Sequence, residues 1–310
     1  MVLRSLLRRL LLAPLMLLVL ASITFVLIRL APGGPFDDER STDAAVEQAL
    51  AAQYHLDESL GRQYLRFLGD LVQGDLGPSF RSPGETVVAK IARHLPVSMG
   101  LGLLALLVAV LAGVTAGTIA AVRRNSALDH GTMVVAMTGL ALPTFVIGPI
   151  LALVFGQWWG WLPVAGWQGF DAPRYLLLPV FTLALPFAAR IARLTRAGML
   201  EVLSADHVRT ARAKGLSGRM VVWRHVLRGG LLPVISYLGP ATADILTGSV
   251  VVEAVFAIPG IGQEFVQSAL SRDYTVVMGT VLVYGVLLIL FNMLSDILFV
   301  LADPRVRNRG

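Results

Sequence analysis

The sequence predicts an all-α fold: a polytopic membrane bundle of six transmembrane helices, with a small helical extracytoplasmic cap between spans 1 and 2. Three observations predict it. Of 310 residues, 55% are hydrophobic and 15% charged, against about 25% charged in a soluble domain. Several uncharged runs exceed the ~18 residues that suggest a spanning helix. These runs are continuous rather than alternating, which argues against a β-barrel. The formal net charge of +6 would suggest nucleic acid in a soluble protein. Here the bases sit in short connections beside spans, where membrane orientation requires them, so no nucleic-acid partner is expected. The chain has no cysteine, which removes disulfides, thiolate metal sites and cysteine nucleophiles.

The first unit is 1–30. Arg4, Arg8 and Arg9 precede an uncharged run from Leu10 to Ile28, closed by Arg29. A signal peptide would have a shorter apolar core and a small-residue cleavage site. A retained first span is the expectation. The second unit, 31–94, holds ten acids and six bases and opens on the turn cluster Pro32-Gly33-Gly34-Pro35. Val46, Ala49, Leu50 and Tyr54 recur at helical spacing, as do Leu60, Tyr64, Leu68 and Leu71. They predict two amphipathic helices of an external cap, broken around Gly74–Pro78.

The third unit, 95–310, is the transmembrane core, with spans at 95–122, 132–155, 174–194, 229–257 and 274–302. In the span 95–122 small residues fall every fourth place: Ala105, Ala109, Gly113, Gly117 and Ala121. That ladder reads as close helix packing before it reads as a pore lining. Pro143 and Pro149 interrupt the span 132–155. Trp158, Trp159, Trp161 and Trp167 follow it and mark an interfacial loop. The connection 195–228, with Arg190 and Arg193 just before it, concentrates nine bases against Glu201 and Asp206. Pro233, Gly239-Pro240, Asp244 and Glu253 interrupt the fifth span, and Pro259-Gly260-Ile261-Gly262 forms a turn. Counting sides, the N-terminus, the 123–130 turn, the 190–228 stretch and the tail hold 17 of 26 bases and four of 20 acids. Both termini are therefore expected in the cytoplasm.

Chemistry is sparse. There is no Gly-x4-Gly-Lys-Ser/Thr loop, so ATP, if used, is hydrolysed by a partner. No His-Glu-x-x-His or Gly-x-Ser-x-Gly pattern occurs. No catalytic residue, metal site or bound cofactor is expected, and His207 and His225 lack ligand spacing. Asp244 and Glu253 are ionisable at membrane depth and are candidates for a translocation path; Asp296 lies nearer a span end. A stand-alone proton-coupled carrier using Asp244 or Glu253 is an alternative of a different class.

The run from Glu201 through Asp206-His-Val-Arg-Thr-Ala-Arg-Ala-Lys-Gly215, followed by Leu232-Pro233, resembles the cytoplasmic coupling loop of ABC-importer permeases. In that family the loop carries Glu-Ala-Ala-x3-Gly and docks a short helix into the ATPase. Gly215 matches the glycine and Ala211 the second alanine. Arg209 stands for the glutamate and Thr210 for the first alanine, as in the peptide-importer branch, whose loop reads Arg-Thr-Ala-Arg-Ala-Lys-Gly. Arg29 to Pro35 with Glu39-Arg40, Thr247 to Glu253 leading to Gly262, and Asp303 to Arg307 are similar to B-type permeases of the same branch.

The resemblance implies a pore subunit in a bacterial inner membrane. Its partners would be lipid, a second homologous permease, two ATPases that bind the ATP and Mg, and an extracytoplasmic peptide-binding protein. It also implies that Asp206, Arg209, Thr210, Ala211, Arg212, Ala213, Lys214 and Gly215 form the ATPase-coupling element. Glutathione, nickel chelates or another small solute are alternatives to oligopeptides or dipeptides. On physical grounds Asp206 can cap the helix start, Val208 and Ala211 share a side, and Gly215 can end the helix with a left-handed residue.

Overall fold

The computed structural model describes residues 2–30, 52, 55–247 and 249–302. The Pro32–Pro35 turn, the helix expected around Val46–Tyr54 and the tail from Asp303 lie outside the described residues. Thirteen helices are named in chain order. They are α1 (Val2–Leu30), α2 (Leu60–Val72), α3 (Val87–Val122), α4 (Ala127–Ala141), α5 (Thr144–Leu151), α6 (Pro173–Leu203) and α7 (Asp206–Ala213). Then come α8 (Gly218–Val221), α9 (Leu227–Gly230), α10 (Leu232–Thr247), α11 (Val250–Phe256), α12 (Ile261–Leu270) and α13 (Tyr274–Ala302). Two π-helical turns extend α5 and α8, at Ala152–Trp158 and Val222–Val226.

Four helices are long and apolar enough to cross a membrane unbroken: Leu10–Leu30, α3, α6 and Tyr274–Ile297. Two bent pairs bring the total to six if each is one span. They are α4 with α5 and its π turn, bent by 107°, and α10 with α11, bent by 46°. The first bend corrects the single span expected at 132–155. Leu142 is extended and Pro143 has no N–H to continue the ladder, so α5 starts afresh almost perpendicular to α4.

Other boundaries also move. The helix expected from 95 begins at Val87, because Thr86 accepts a hydrogen bond from the Ala89 N–H (3.2 Å) and caps it. Lys90, Arg93 and His94 therefore belong to a 36-residue helix rather than to the cap. The helix expected to end at 194 runs on to Leu203, so the cytoplasmic connection begins as an extension of a span.

The core lies between α3 and α6. The small-residue ladder faces α6 within this chain: Ala105, Ala109, Gly113, Gly117 and Ala121 are all buried. A Cβ on Gly117 would stand 2.4 Å from the Ala192 carbonyl oxygen. Only a bare α-carbon admits that approach, and backbone-to-backbone packing replaces the missing hydrophobic drive between helices in lipid. Leu101, Leu183, Ile191, Ile245, Leu246 and Phe256 fill the space around the ladder. The cap rests on α1. Phe25 stacks on Phe67 with centroids 5.8 Å apart, and Ser22 shares a 2.6 Å hydrogen bond with Tyr64. The exposed faces of α1 and α13 carry Leu11, Leu27, Leu288, Leu290 and Leu294, a composition suited to hydrocarbon.

Candidate functional site

At the cytoplasmic end α6 stops at Leu203, and Ala205 is extended before α7. Ala205, not Asp206, occupies the capping position, and no side chain caps the helix. Asp206 is the first helical residue. Its side chain is 97% exposed and stands 3.6 Å from Arg209. A carboxylate in the first turn and Arg212 in the last both suit the helix dipole. The stop is built by Gly215, at φ +80°. Its N–H donates to the Arg212 carbonyl (2.9 Å), and the Leu216 N–H donates to the Ala211 carbonyl (3.4 Å). These are the two bonds of a Schellman motif, and glycine is the residue that takes the left-handed conformation without cost.

Val208 and Ala211 are buried, in a cluster with Ala121, Met199, Val221 and Val226. The face that the sequence offers as a partner contact is thus the seat of α7 on its own chain. His207, Arg209, Thr210, Arg212, Ala213, Lys214 and Gly215 remain exposed. The seat is braced twice. The backbones of α6 and α9 touch, since a Cβ on Gly198 would stand 2.3 Å from the Gly230 carbonyl oxygen. Arg196 of α6 also forms a two-point pair with Asp129 of α4, at 2.6 and 2.8 Å, and Asp129 accepts the Asn125 N–H (2.9 Å). Nothing in the local sequence announces this pair, whose members lie 67 residues apart.

Glu253 does not line open space. It is fully buried. Oε1 accepts from the hydroxyls of Ser98 and Ser249, both at 2.6 Å, and Oε2 accepts the Gln263 N–H at 3.0 Å. Ser98 in turn accepts the Ile261 N–H (2.9 Å). The carboxylate therefore closes the N-terminus of α12, where the dipole favours negative charge, and joins α3, α11 and α12. Gly260 makes room, since a Cβ there would stand 2.3 Å from the Glu253 carboxyl carbon.

Beside this joint Lys90 pairs with Glu264 (3.0 Å) and lies 3.9 Å from Asp273. Asp273 also accepts the Ser79 hydroxyl and the Phe80 N–H (3.0 Å), which ties the cap to the start of α13. Arg93 donates to Glu85 (2.8 Å) and by that bond holds its carboxyl below the usual glutamate range. Ser98 and Lys90 are participants the sequence reading missed. One of only two lysines in the chain was the available signal.

Asp244 is exposed on α10, on one stripe with Pro233, Ser236 and Pro240. Across from it on α6, Arg190 lies over the Tyr237 ring, 5.5 Å from the centroid. Arg or Asp held against lipid at a span centre costs about 2.5–3.5 kcal/mol each. This face therefore suits water or protein, unlike the leucine faces of α1 and α13.

Residues 113–308 match the family described as binding-protein-dependent transport system inner membrane components. The chain belongs to this family. As an inner membrane component of that kind it is a multi-pass membrane permease, not itself an enzyme. It is 46% identical over 305 residues to the oligopeptide transport system permease protein OppB of Haemophilus influenzae, covering 98% of this chain and 99% of that one. It is 44% identical to OppB of Escherichia coli K12 over the same shares. It is also 44% identical to the dipeptide transport system permease protein DppB of Bacillus subtilis, over 94% of each chain. Among solved structures, the inward-facing MetNI methionine ABC transporter aligns with TM-score 0.56 at 18% identity, over 69% of this permease and 96% of that chain. An amino acid ABC transporter aligns with TM-score 0.54 at 17% identity, over 68% and 92%. Those two establish the fold.

Proposed function

We propose that this permease is a membrane-spanning subunit of an ATP-driven importer of short peptides, with both termini in the cytoplasm. The observation that carries this reading is similarity over nearly the full length to oligopeptide and dipeptide permeases, met by an exposed, well-terminated helix α7 at the matching motif. A second homologous permease completes the path, two ATPase subunits bind ATP and Mg, and an extracytoplasmic binding protein delivers peptide. The exposed side of α7, with Arg209, Thr210, Arg212, Ala213 and Lys214, enters a groove on an ATPase. Asp206 and Gly215 set its two ends and Ala211 holds it to the chain. When the ATPases close, α7 moves, and α6, braced by Asp129–Arg196 and the α9 contact, carries the motion into the bundle. Asp244 faces the path, while Glu253 holds the outer joint together.

The test is Gly215→Val in the reconstituted complex. Substitution here forces a β-branched residue into a left-handed conformation at the end of α7. ATP-driven uptake of defined peptides is expected to vanish, or the ATPases to dissociate, while membrane insertion is unaffected. Normal peptide uptake by this variant would sink the coupling assignment. Failure of the unaltered complex to take up any oligopeptide or dipeptide would sink the peptide reading.

A further inference from the structure

We propose that the wall formed by α6 and α10 is a two-point site for a linear peptide, in which Arg190 takes the free C-terminal carboxylate and Asp244 the α-ammonium group. The inference rests on the peptide-permease reading and assigns chemistry to that path.

Arg190 is exposed and lies over Tyr237 on the neighbouring helix. That contact fixes the guanidinium at the level of Tyr237 while leaving its fork of donors to bind a planar carboxylate at two points. Asp244 is seven residues further along α10, on the exposed stripe that includes Ser236 and Pro240. Seven residues of helix advance about 10 Å. Tyr237 lies within electrostatic reach of both charges, so they belong to one surface. Three residues of extended peptide also span about 10 Å. The wall therefore presents opposite charges at a spacing that suits the two ends of a tripeptide. Longer peptides would engage one end at a time. Arg193 follows Arg190 on the same exposed side of α6 and would extend the cationic end towards α7.

The experiment uses the full reconstituted complex with its binding protein saturated. Uptake is measured for a tripeptide, its C-terminal amide and its N-acetyl form. The binding protein's own preference is common to all variants, so the ratios between variants report the permease. In Arg190→Gln the free-acid to amide ratio is expected to fall about tenfold relative to the unaltered complex. Its preference for a free amino terminus should persist. Asp244→Asn is expected to show the mirror result, and Arg190→Lys to retain part of the carboxylate preference. An unchanged acid-to-amide ratio in Arg190→Gln overturns the proposal. So does failure of all three variants to assemble, which would make the charges packing elements. Absence of peptide uptake by the unaltered complex overturns the underlying function instead.

Discussion

Glu253 and Gly215 each do one job that no neighbouring residue can take over. Glu253→Ala removes the acceptor for two hydroxyls and the N-terminus of α12, all of them inside the protein. Each stranded donor costs about 1–3 kcal/mol, so a loss of at least about 3 kcal/mol is expected. It would be read as a lower unfolding midpoint of the purified complex, with an unchanged midpoint arguing against the joint. Gly260→Ala should approach the same loss by forcing a methyl group against that carboxyl. Gly61→Ala, in open space on α2, should be neutral or gain up to about 1 kcal/mol. At Gly215 no atom lies within 4 Å of a Cβ, so within this chain only the backbone conformation is at stake. Gly215→Asn, which tolerates φ > 0, should keep more ATP-driven uptake than Gly215→Ala. The reverse order would mean that partner clearance, not backbone, requires glycine. The sequence exposed Gly215 because a helix stop is a local event. It misjudged Glu253, because an acid before a Pro-Gly turn looks the same whether it faces water or closes a helix 163 residues downstream of its other partner's contact, Ser98 to Ile261.

Helix α7 has an inner face and an outer face, and substitutions should sort by face. Val208→Asp places a charge in the cluster with Met199 and Val226, and should unseat α7 and lower stability. Arg212→Glu touches nothing inside the chain. It should leave the unfolding midpoint within about 0.5 kcal/mol but weaken ATPase association and reduce the salt dependence of that association. Equal effects from both would contradict the two-faced arrangement. The periodicity of α7 was readable, since Val208 and Ala211 lie three residues apart on one side. Which body owns the groove was not, because eight residues show a face but not its partner. The break at Pro143 was equally readable, but its 107° turn depends on α5 packing against α6 and α11, which no local pattern records. Between α3 and α6, Gly117→Leu should separate the two helices and prevent stable insertion or assembly. Tolerance of leucine there would show that the backbone contact is dispensable.

At the scale of the whole molecule, the absence of cysteine makes the topology directly testable. Leu65→Cys, on the exposed side of α2, should react with an impermeant maleimide from outside intact cells. Arg212→Cys should react only after the membrane is opened. Reaction of both from one side would refute the proposed orientation. Composition and charge counting made the bundle and its sidedness legible, because both follow from solvent rather than from contacts. The bracing pairs Asp129–Arg196 and Lys90–Glu264 were not legible, because they join residues far apart in the chain. Helix α3 meets both sets of contacts: Ser98 belongs to the outer joint and Ala121 to the seat of α7. Between them the helix advances about 35 Å without interruption, and Pro96 lies beyond the outer of the two points. Pivoted at Ala121, this stretch acts as a lever arm, so each degree of tilt displaces Ser98 by about 0.6 Å. Ten degrees would exceed the reach of its hydrogen bond to Glu253 several times over, and the gearing is set by helix length alone.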